Sequence, residues 1–142
     1  MKKSKKRTKK ITAKLSCQML QKYVRLKETD RLGYGYCCSC GQSVHYKNAD
    51  GGHYQPKGRH YNRAAFDERN VHIQCKSCNL YRQGNPAGYT AFMLLKYPEG
   101  TLDEIAMLSY QTSDRELWSE TYYSYKDKCK ELIKDKDFEI KL

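Results

Sequence analysis

The sequence has no long run of hydrophobic residues. Its 142 residues have a mean hydropathy of −0.93, and 30% of the side chains are charged. No apolar stretch approaches the ~20 residues that a membrane-spanning helix needs. The basic N-terminus is also not followed by the hydrophobic segment of a secretory signal. We therefore expect one domain with a modest core, located in the cytoplasm.

Acidic residues are missing from the start of the chain. Residues 1–10 contain seven Lys or Arg residues, so they carry +7 of the net charge of +11. Residues 37–85 add +4, whereas residues 86–142 carry −3. The positive charge of residues 1–10 and 37–85 indicates a polyanionic partner, which we expect to be DNA. We predict that residues 1–10 form a disordered basic arm, with an aid to solubility as the alternative role.

An anionic membrane is a weaker alternative partner, because the basic stretch lacks an apolar face. We therefore expect no association with a membrane.

The spacing of apolar residues divides residues 11–142 into three segments of one predicted domain. Residues 11–35 form an N-terminal helical segment, with apolar residues at helical spacing over residues 12–31. Residues 36–100 are rich in Gly, Cys, His, Asn and Tyr, and they indicate short strands and loops at a metal-centred core. Residues 101–142 are predicted to be helical. The sequence thus predicts an α+β fold with a small β-rich metal centre flanked by helices.

Two capping-box patterns mark predicted helix starts in the C-terminal segment. Thr101 begins Thr-Leu-Asp-Glu, before a short helix that is expected to end near Tyr110. Ser113 begins Ser-Asp-Arg-Glu, before a longer helix that is expected to end near Lys134. A further helix is predicted over residues 88–97, and we expect it to end before Pro98 and Gly100.

Seven cysteines without an export signal favour metal binding over disulfides, because the cytosol keeps thiols reduced. Four of them form two Cys-x-x-Cys pairs, Cys37/Cys40 and Cys75/Cys78. Four thiolates at this spacing predict a closed tetrahedral zinc site. Because such an ion has no open coordination position, we expect it to stabilise the fold and not to activate water. Cys38 adjoins the first pair and could compete as a ligand.

Polar residues with potential chemistry lie between and beside the two cysteine pairs. They occur in Asp50-Gly51-Gly52-His53-Tyr54, Asp67-Glu68-Arg69-Asn70-Val71 and Cys78-Asn79-Leu80-Tyr81-Arg82. This order resembles the zinc-bearing form of the HNH (His-Me finger) nuclease motif. That motif combines Cys-x-x-Cys, a Gly-His or Asp-His turn, an Asn, and a second Cys-x-x-Cys followed by His or Asn.

The resemblance narrows to the phage NinG (Rap) recombination nuclease family and covers about residues 12–105. It is carried by Tyr23–Lys27 before the first cysteine pair, by Gly52-His53-Tyr54, by the stretch Phe66–Cys75, and by Gly84-Asn85. The resemblance implies a ββα-metal centre, in which a β-hairpin carries the histidine and a helix begins around the second pair. It further implies an endonuclease that cuts branched DNA, such as Holliday junctions, in the cytoplasm of the phage's host.

Each residue of the motif then receives an expected role. A neutral imidazole suits a general base at physiological pH, so we assign this role to His53. One Mg²⁺ or Mn²⁺ ion could offset charge on the phosphate, and Asn79 is the first candidate ligand, or else it caps the following helix. In the family pattern Asn70 orients the histidine or braces the hairpin. Many HNH enzymes have Asp before the base, where this chain has Gly52.

The nearest acid is Asp50, which we take as the second candidate ligand of the catalytic cation. His53 could itself be a ligand instead, and Asp67 and His72 are the reserve candidates.

Basic side chains near the motif are the expected phosphate contacts. They are Lys57, Arg59, Arg63 and Arg82. Each could instead be a solvated surface charge. Tyrosines also crowd this region, and they could stack on unpaired bases or pack a thin core. They are Tyr34, Tyr36, Tyr46, Tyr54 and Tyr61.

Two alternatives to a nuclease remain open. The first is a non-catalytic, zinc-stapled nucleic-acid binding module in phage recombination, which would need the four cysteines but not His53. The second is a structural protein whose acidic C-terminal helices dock a recombination partner or form a homodimer.

Overall fold

The computed structural model describes residues 9–136, so residues 1–8 of the predicted basic arm lie outside the described part. The described part has α+β architecture, as predicted. Its helices and strands are α1 (Ala13–Lys27), β1 (Tyr34–Tyr36), β2 (Ser43–His45), β3 (Ala49–His53), β4 (Val71–Cys75), α2 (Pro86–Lys96), α3 (Thr101–Ser109) and α4 (Arg115–Lys136). A π-helical turn, Ser77–Tyr81, follows the last strand.

Helix α1 begins after Thr12, whose hydroxyl oxygen accepts a hydrogen bond from the first turn. Its apolar face packs on β4, where Leu20 and Val24 contact Val71. The helix is shorter than the predicted 12–31 because Glu28 turns away from the helical path. The Glu28 carboxylate instead accepts a hydrogen bond from a backbone N–H of β4.

The strands form two separate antiparallel pairs. Strands β1 and β2 pair from Tyr34↔His45 to Tyr36↔Ser43. Strands β3 and β4 pair from Ala49↔Cys75 to His53↔Val71. Cys75, the first residue of the second cysteine pair, thus lies at one end of this strand pair, and His53 lies at the other. Helix α1 covers one face of the β3–β4 pair and α2 covers the other.

The two predicted capping boxes are wrong, although both helices exist. Helix α3 has Gly100 as its N-cap, with φ at +92°, and Thr101 is already its first helical residue. At α4 the cap is Asp114, whose carboxylate accepts a hydrogen bond from the N–H three residues later. The Ser113 hydroxyl does not cap the helix, because it donates to the backbone oxygen of Tyr61 and accepts from the indole N–H of Trp118 at 2.8 Å.

The apolar interior consists of several small clusters, as the low hydropathy leads one to expect. Helix α4 lies along α1, and Cys17 packs with Phe66 and the single tryptophan, Trp118. A second cluster between the same helices contains Leu26 and Cys129. Within residues 9–136, no helix combines the length and apolar character needed to cross a bilayer.

Candidate functional site

The two cysteine pairs converge at one end of the β3–β4 pair. The Sγ atoms of Cys37, Cys40, Cys75 and Cys78 all lie within 4.8 Å of one another. The Cys40 and Cys75 sulfurs are 3.8 Å apart, which is the edge of a tetrahedron with Zn–S bonds of about 2.3 Å. These four residues therefore can hold a structural metal such as zinc.

Cys38 does not belong to this group of four sulfurs. Its side chain packs against the apolar cluster of Tyr89 and Met93 on α2, and its sulfur lies 3.7 Å from the Ser39 hydroxyl. Burial raises the pKa of the Cys38 thiol, which disfavours the thiolate that zinc requires. Cys38 is thus not placed to compete with the four cysteines as a metal ligand.

His53 lies at the opposite end of β3, against α1. Its Nε2 is 3.0 Å from the carbonyl oxygen of Ala65 and 3.5 Å from the Cys17 sulfur. Because a carbonyl oxygen can only accept, Nε2 carries the proton and Nδ1 carries the lone pair. Burial lowers the pKa of His53 to about 4, against the effect of the Ala65 carbonyl and with a smaller contribution from Lys57. The imidazole is therefore neutral at physiological pH.

Asn70 is fully buried and braces the chain around His53. Its Oδ1 accepts from the Gln55 N–H at 2.7 Å, and its Nδ2 donates to the carbonyls of Gln55 and Ala64 at 3.0 and 2.9 Å. The Ala64 contact fixes the neighbouring Ala65 carbonyl, which binds the histidine. The side chain thus positions His53 without a hydrogen bond to its ring.

Asp50 and Asn79, the two candidate cation ligands, lie together beside the second cysteine pair. The Asn79 Nδ2 donates to Asp50 Oδ2 at 3.0 Å, and the Lys76 ammonium group lies 2.7 Å from Asp50 Oδ1. The three side chains border a groove of about 480 Å³ against α1, whose Gln21 and Arg25 line the other wall. We refer to it as the Asp50 groove.

Asn79 does not cap a helix, so that alternative reading of the residue is wrong. Asn79 lies inside the π-helical turn, whereas Asn85 caps α2 and accepts from the Gly88 N–H. The sequence signal for this cap was Pro86 directly after Asn85, because proline is favoured in the first turn of a helix.

The structure does not bring Asp50 to His53. Successive residues of a strand advance by about 3.3 Å, so positions 50 and 53 lie about 10 Å apart along β3. The His53 ring contacts Cys17 of α1, whereas the Asp50 carboxylate contacts Lys76 and Asn79 beside the second cysteine pair. A cation on Asp50 and Asn79 therefore has no third ligand from His53.

The departure at Gly52 has a structural cause. A Cβ on Gly52 would lie 1.9 Å from the Gln74 Oε1, so no acid fits there while Gln74 keeps its place. Gln74 is fully buried, and its Nε2 donates to the Ser39 hydroxyl and the Gly84 carbonyl at 2.8 and 2.7 Å. We did not single out Gln74 from the sequence. The available signal was a polar residue between Ile73 and Cys75, together with the adjacent glycines 51 and 52 before His53.

The predicted DNA-binding residues divide between the two ends of the β3–β4 pair. Lys57 lies close enough to His53 to lower its pKa. Arg59 is exposed in the same segment, and Arg63 makes an exposed ion pair with α4. Arg82 is exposed next to the cysteine group. The positive charge thus accompanies both the imidazole and the metal centre.

The reserve candidates are already engaged by protein groups. The Asp67 carboxylate pairs with Arg69 at 2.9 Å. His72 is buried, with Nδ1 2.6 Å from the Glu28 carboxylate and Nε2 2.9 Å from the Tyr97 hydroxyl. Both ring nitrogens of His72 thus have protein partners. Its position on a strand between two helices explains why it makes contacts with both.

The five crowded tyrosines have different surroundings. Tyr46 is buried, and the Tyr54 ring packs at 5.2 Å from Tyr89. Tyr34 and Tyr36 are exposed on the first hairpin. Tyr34 still packs edge-on against the His45 ring at 4.8 Å, so packing explains most of these tyrosines.

Comparison with known proteins identifies the family. The family described as "Bacteriophage Lambda NinG protein" matches residues 1–137. Protein ninG of Escherichia phage 933W is 31% identical over 100 residues, which cover 70% of this chain and 47% of that protein. Protein ninG of Salmonella phage P22 is 35% identical over 69 residues, which cover 49% of this chain and 33% of that protein.

Protein ninG of Escherichia phage lambda is 33% identical over 69 residues, with the same coverage of 49% and 33%. The matched part is thus about half, or less, of the length of these relatives. No solved structure gives a significant match. Because the family match extends over nearly the whole sequence, this chain belongs to the NinG family.

Proposed function

We propose that the chain is a metal-dependent endonuclease of the HNH (His-Me finger) type that hydrolyses phosphodiester bonds in DNA. Branched recombination intermediates are the proposed substrates. The observation that carries the proposal is the state of His53, which is neutral and has its Nε2 proton on the Ala65 carbonyl. Its Nδ1 has no hydrogen-bond partner among residues 9–136, so a water molecule can be its partner.

The chemistry follows from this tautomer. The lone pair of Nδ1 removes a proton from water, and the resulting hydroxide oxygen bonds to phosphorus while the bond to the leaving oxygen breaks. A base with a pKa of about 4 is weak, but it is in the reactive neutral form at any physiological pH. Lys57 supplies positive charge next to the imidazole, which suits a phosphate bound there.

Asn70 acts in this proposal as a positioning residue. It holds the Ala64–Ala65 backbone, and Ala65 in turn fixes the ring through Nε2. A ring held on one nitrogen directs the other nitrogen to a fixed place, which is the geometric requirement for general-base catalysis.

The resemblance to HNH enzymes also implies a divalent cation, Mg²⁺ or Mn²⁺. Asp50 and Asn79 would hold it, because a carboxylate and an amide oxygen are hard ligands, and Mg²⁺ often uses few protein ligands. The bound ion would offset negative charge on a phosphate. The fit is partial, since Lys76 and Asn79 already contact the Asp50 carboxylate, and the His53 ring is bonded to the Ala65 carbonyl at the other end of β3. The zinc of the four cysteines would serve the fold alone.

The second candidate function is a zinc-stapled nucleic-acid binding module without catalysis. The separate partners of Asp50 and His53 favour it, because Lys76 and Asn79 hold the Asp50 carboxylate while the Ala65 carbonyl holds the His53 ring, and no hydrogen bond joins the two side chains within residues 9–136. The cysteine group and the exposed basic residues would serve both functions equally. Only the enzyme requires the imidazole.

The decisive experiment is a cleavage panel of linear, flapped, forked and four-way DNA with Mg²⁺ or Mn²⁺. We expect His53→Ala to lose at least about 100-fold in cleavage rate, while zinc content and DNA affinity stay unchanged. His60→Ala is the matched control, because His60 is exposed in the same segment. Unchanged cleavage by His53→Ala would remove His53 from the mechanism. No cleavage of any substrate by the wild type would favour the binding module.

A further inference from the structure

The π-helical turn after the second cysteine pair presents two large side chains to solvent. Leu80 is 60% exposed and its neighbour Tyr81 is 83% exposed. Leu80 also lines the Asp50 groove, at the end nearest the metal centre. Adjacent apolar and aromatic side chains that remain exposed at the rim of a polar groove indicate a contact surface.

The backbone that follows these residues is held in an unusual conformation. Gln83, Gly84 and Asn85 all have positive φ, at +51°, +85° and +44°. The non-glycine residues in this region cost energy, and such strain is typical of functional sites. The turn is fixed to the metal centre, because the Gly84 N–H donates to the Cys78 carbonyl at 2.8 Å and the Asn85 side chain contacts the Cys78 sulfur.

Positive side chains accompany this exposed pair. Arg25 and Lys76 line the Asp50 groove with Leu80, and Arg82 follows Tyr81 and is exposed. Cations next to an aromatic ring match the chemistry of a nucleic acid, whose phosphates pair with the cations and whose bases stack on the ring. In an intact duplex the base faces are covered by their neighbours. The match therefore favours DNA with unpaired or unstacked bases.

We propose that Leu80 and Tyr81 form a stacking contact for unpaired bases of DNA whose backbone follows the Asp50 groove. The inference rests on the proposed function only in taking DNA as the ligand. The rigid turn keeps both side chains outward before DNA binds, so little ordering is required on binding. The contact supplies a preference for interrupted duplexes that the phosphate contacts alone do not supply.

The test measures DNA affinity of the zinc-loaded full chain without Mg²⁺ or Mn²⁺, so that cleavage does not enter. The probes are a blunt duplex and the same duplex with a three-base bulge that contains 2-aminopurine. We expect Leu80→Ala/Tyr81→Ala to lose about tenfold in affinity for the bulged duplex, and less than twofold for the blunt one. The 2-aminopurine emission change on binding should disappear with the variant.

Matched controls separate stacking from general damage. Leu95→Ala and Tyr123→Ala remove exposed side chains on α2 and α4, and they should leave both affinities unchanged. Tyr81→Trp keeps a flat ring and should retain the preference for the bulge. Equal losses on both duplexes, or no loss on either, would overturn the stacking contact and leave the patch for a protein partner. The experiment measures affinity and not cleavage, so its result would be the same if the protein proved not to be a nuclease.

Discussion

The two ends of the β3–β4 pair are stabilised in different ways. At the metal end, Cys37, Cys75 and Cys78 are buried with little apolar support beyond the half-buried Val44. At the His53 end, the hydrogen bonds of Asn70 and an apolar cluster at α1 and α4 hold the chain. One end therefore has the four thiols of a site that a metal ion would stabilise, and the other has hydrogen bonds and packing.

This difference determines which side chains each end can expose to solvent or bury. An end held by metal needs no large core, so it can leave Leu80, Tyr81 and Arg82 in contact with solvent. An end held by packing can half-bury the His53 ring and keep it neutral, because burial lowers its pKa. The two ends should therefore respond to different perturbations, and the following experiments test that separation.

Removal of zinc should have the largest effect. Structural zinc sites contribute about 10–16 kcal/mol, which is as large as the total stability of about 5–15 kcal/mol of most domains. We expect a chelator, or Cys78→Ser, to abolish the cooperative thermal transition measured by circular dichroism. Added zinc should restore the transition in the chelated wild type.

Cys38→Ser is the matched control for this experiment, because Cys38 lies outside the four-sulfur group. It should bind one zinc per chain and melt within a few degrees of the wild type. The assignment of the ligands would be wrong if Cys38→Ser lost zinc and Cys78→Ser kept it.

At the other end, Asn70→Ala should have the next largest effect on stability. It removes three buried or half-buried hydrogen bonds and leaves their partners without a donor or acceptor, which we expect to cost about 3–4 kcal/mol. Urea denaturation measures this loss, and zinc content should stay at one ion per chain. Asn48→Ala, at an exposed position, should change stability by less than about 0.5 kcal/mol.

His53 should contribute to the loss of unfolding free energy at acid pH. Its pKa is 6.5 in the unfolded chain and about 4 in the folded one. Between these values the unfolded state binds a proton that the folded state does not, so stability falls as pH falls from 6.5 to 4. The loss should be about 3 kcal/mol at pH 4, and urea denaturation at several pH values measures it. In His53→Gln the unfolding free energy should decrease less steeply as the pH falls.

Zinc release at acid pH affects the wild type and His53→Gln alike, so their difference isolates the histidine. His60→Gln should keep the wild-type pH dependence, because His60 is exposed. A cleavage rate that fell with a midpoint near pH 6.5 would contradict the lowered pKa of His53.

The sequence predicted well those features that depend on local spacing. The two Cys-x-x-Cys pairs, the α+β class and the positions of the helices follow from residue spacing and periodicity, and the structure has them. The helix caps were less predictable, because Ser113 and Asp114 are both good capping residues. The contact of Ser113 with Tyr61, which is distant in sequence, decided between them.

The relation between candidate site residues was not predictable from their order in the chain. Asp50 and His53 are close in sequence, but they have different partners, Lys76 and Asn79 for Asp50 and Ala65 and Cys17 for His53. The contacts of Gln74 with Ser39 and Gly84 join residues that are separated by up to 35 positions. Such contacts depend on how the two cysteine pairs close around the metal, which the spacing alone does not fix.

The smallest expected effects concern single phosphate contacts, and they ask whether one DNA molecule touches both ends. Arg59→Ala, near the His53 end, and Arg82→Ala, near the metal end, should each reduce the slope of log affinity against log salt by about 0.9. Each loss should be the same for blunt and bulged duplexes, because phosphates carry no sequence information. Fluorescence anisotropy at several salt concentrations measures the slopes, with Arg115→Ala, at the start of helix α4, as the control. If only one of the two variants changes the slope, the ends do not share a DNA path, and the basic residue at the silent end is a solvated charge.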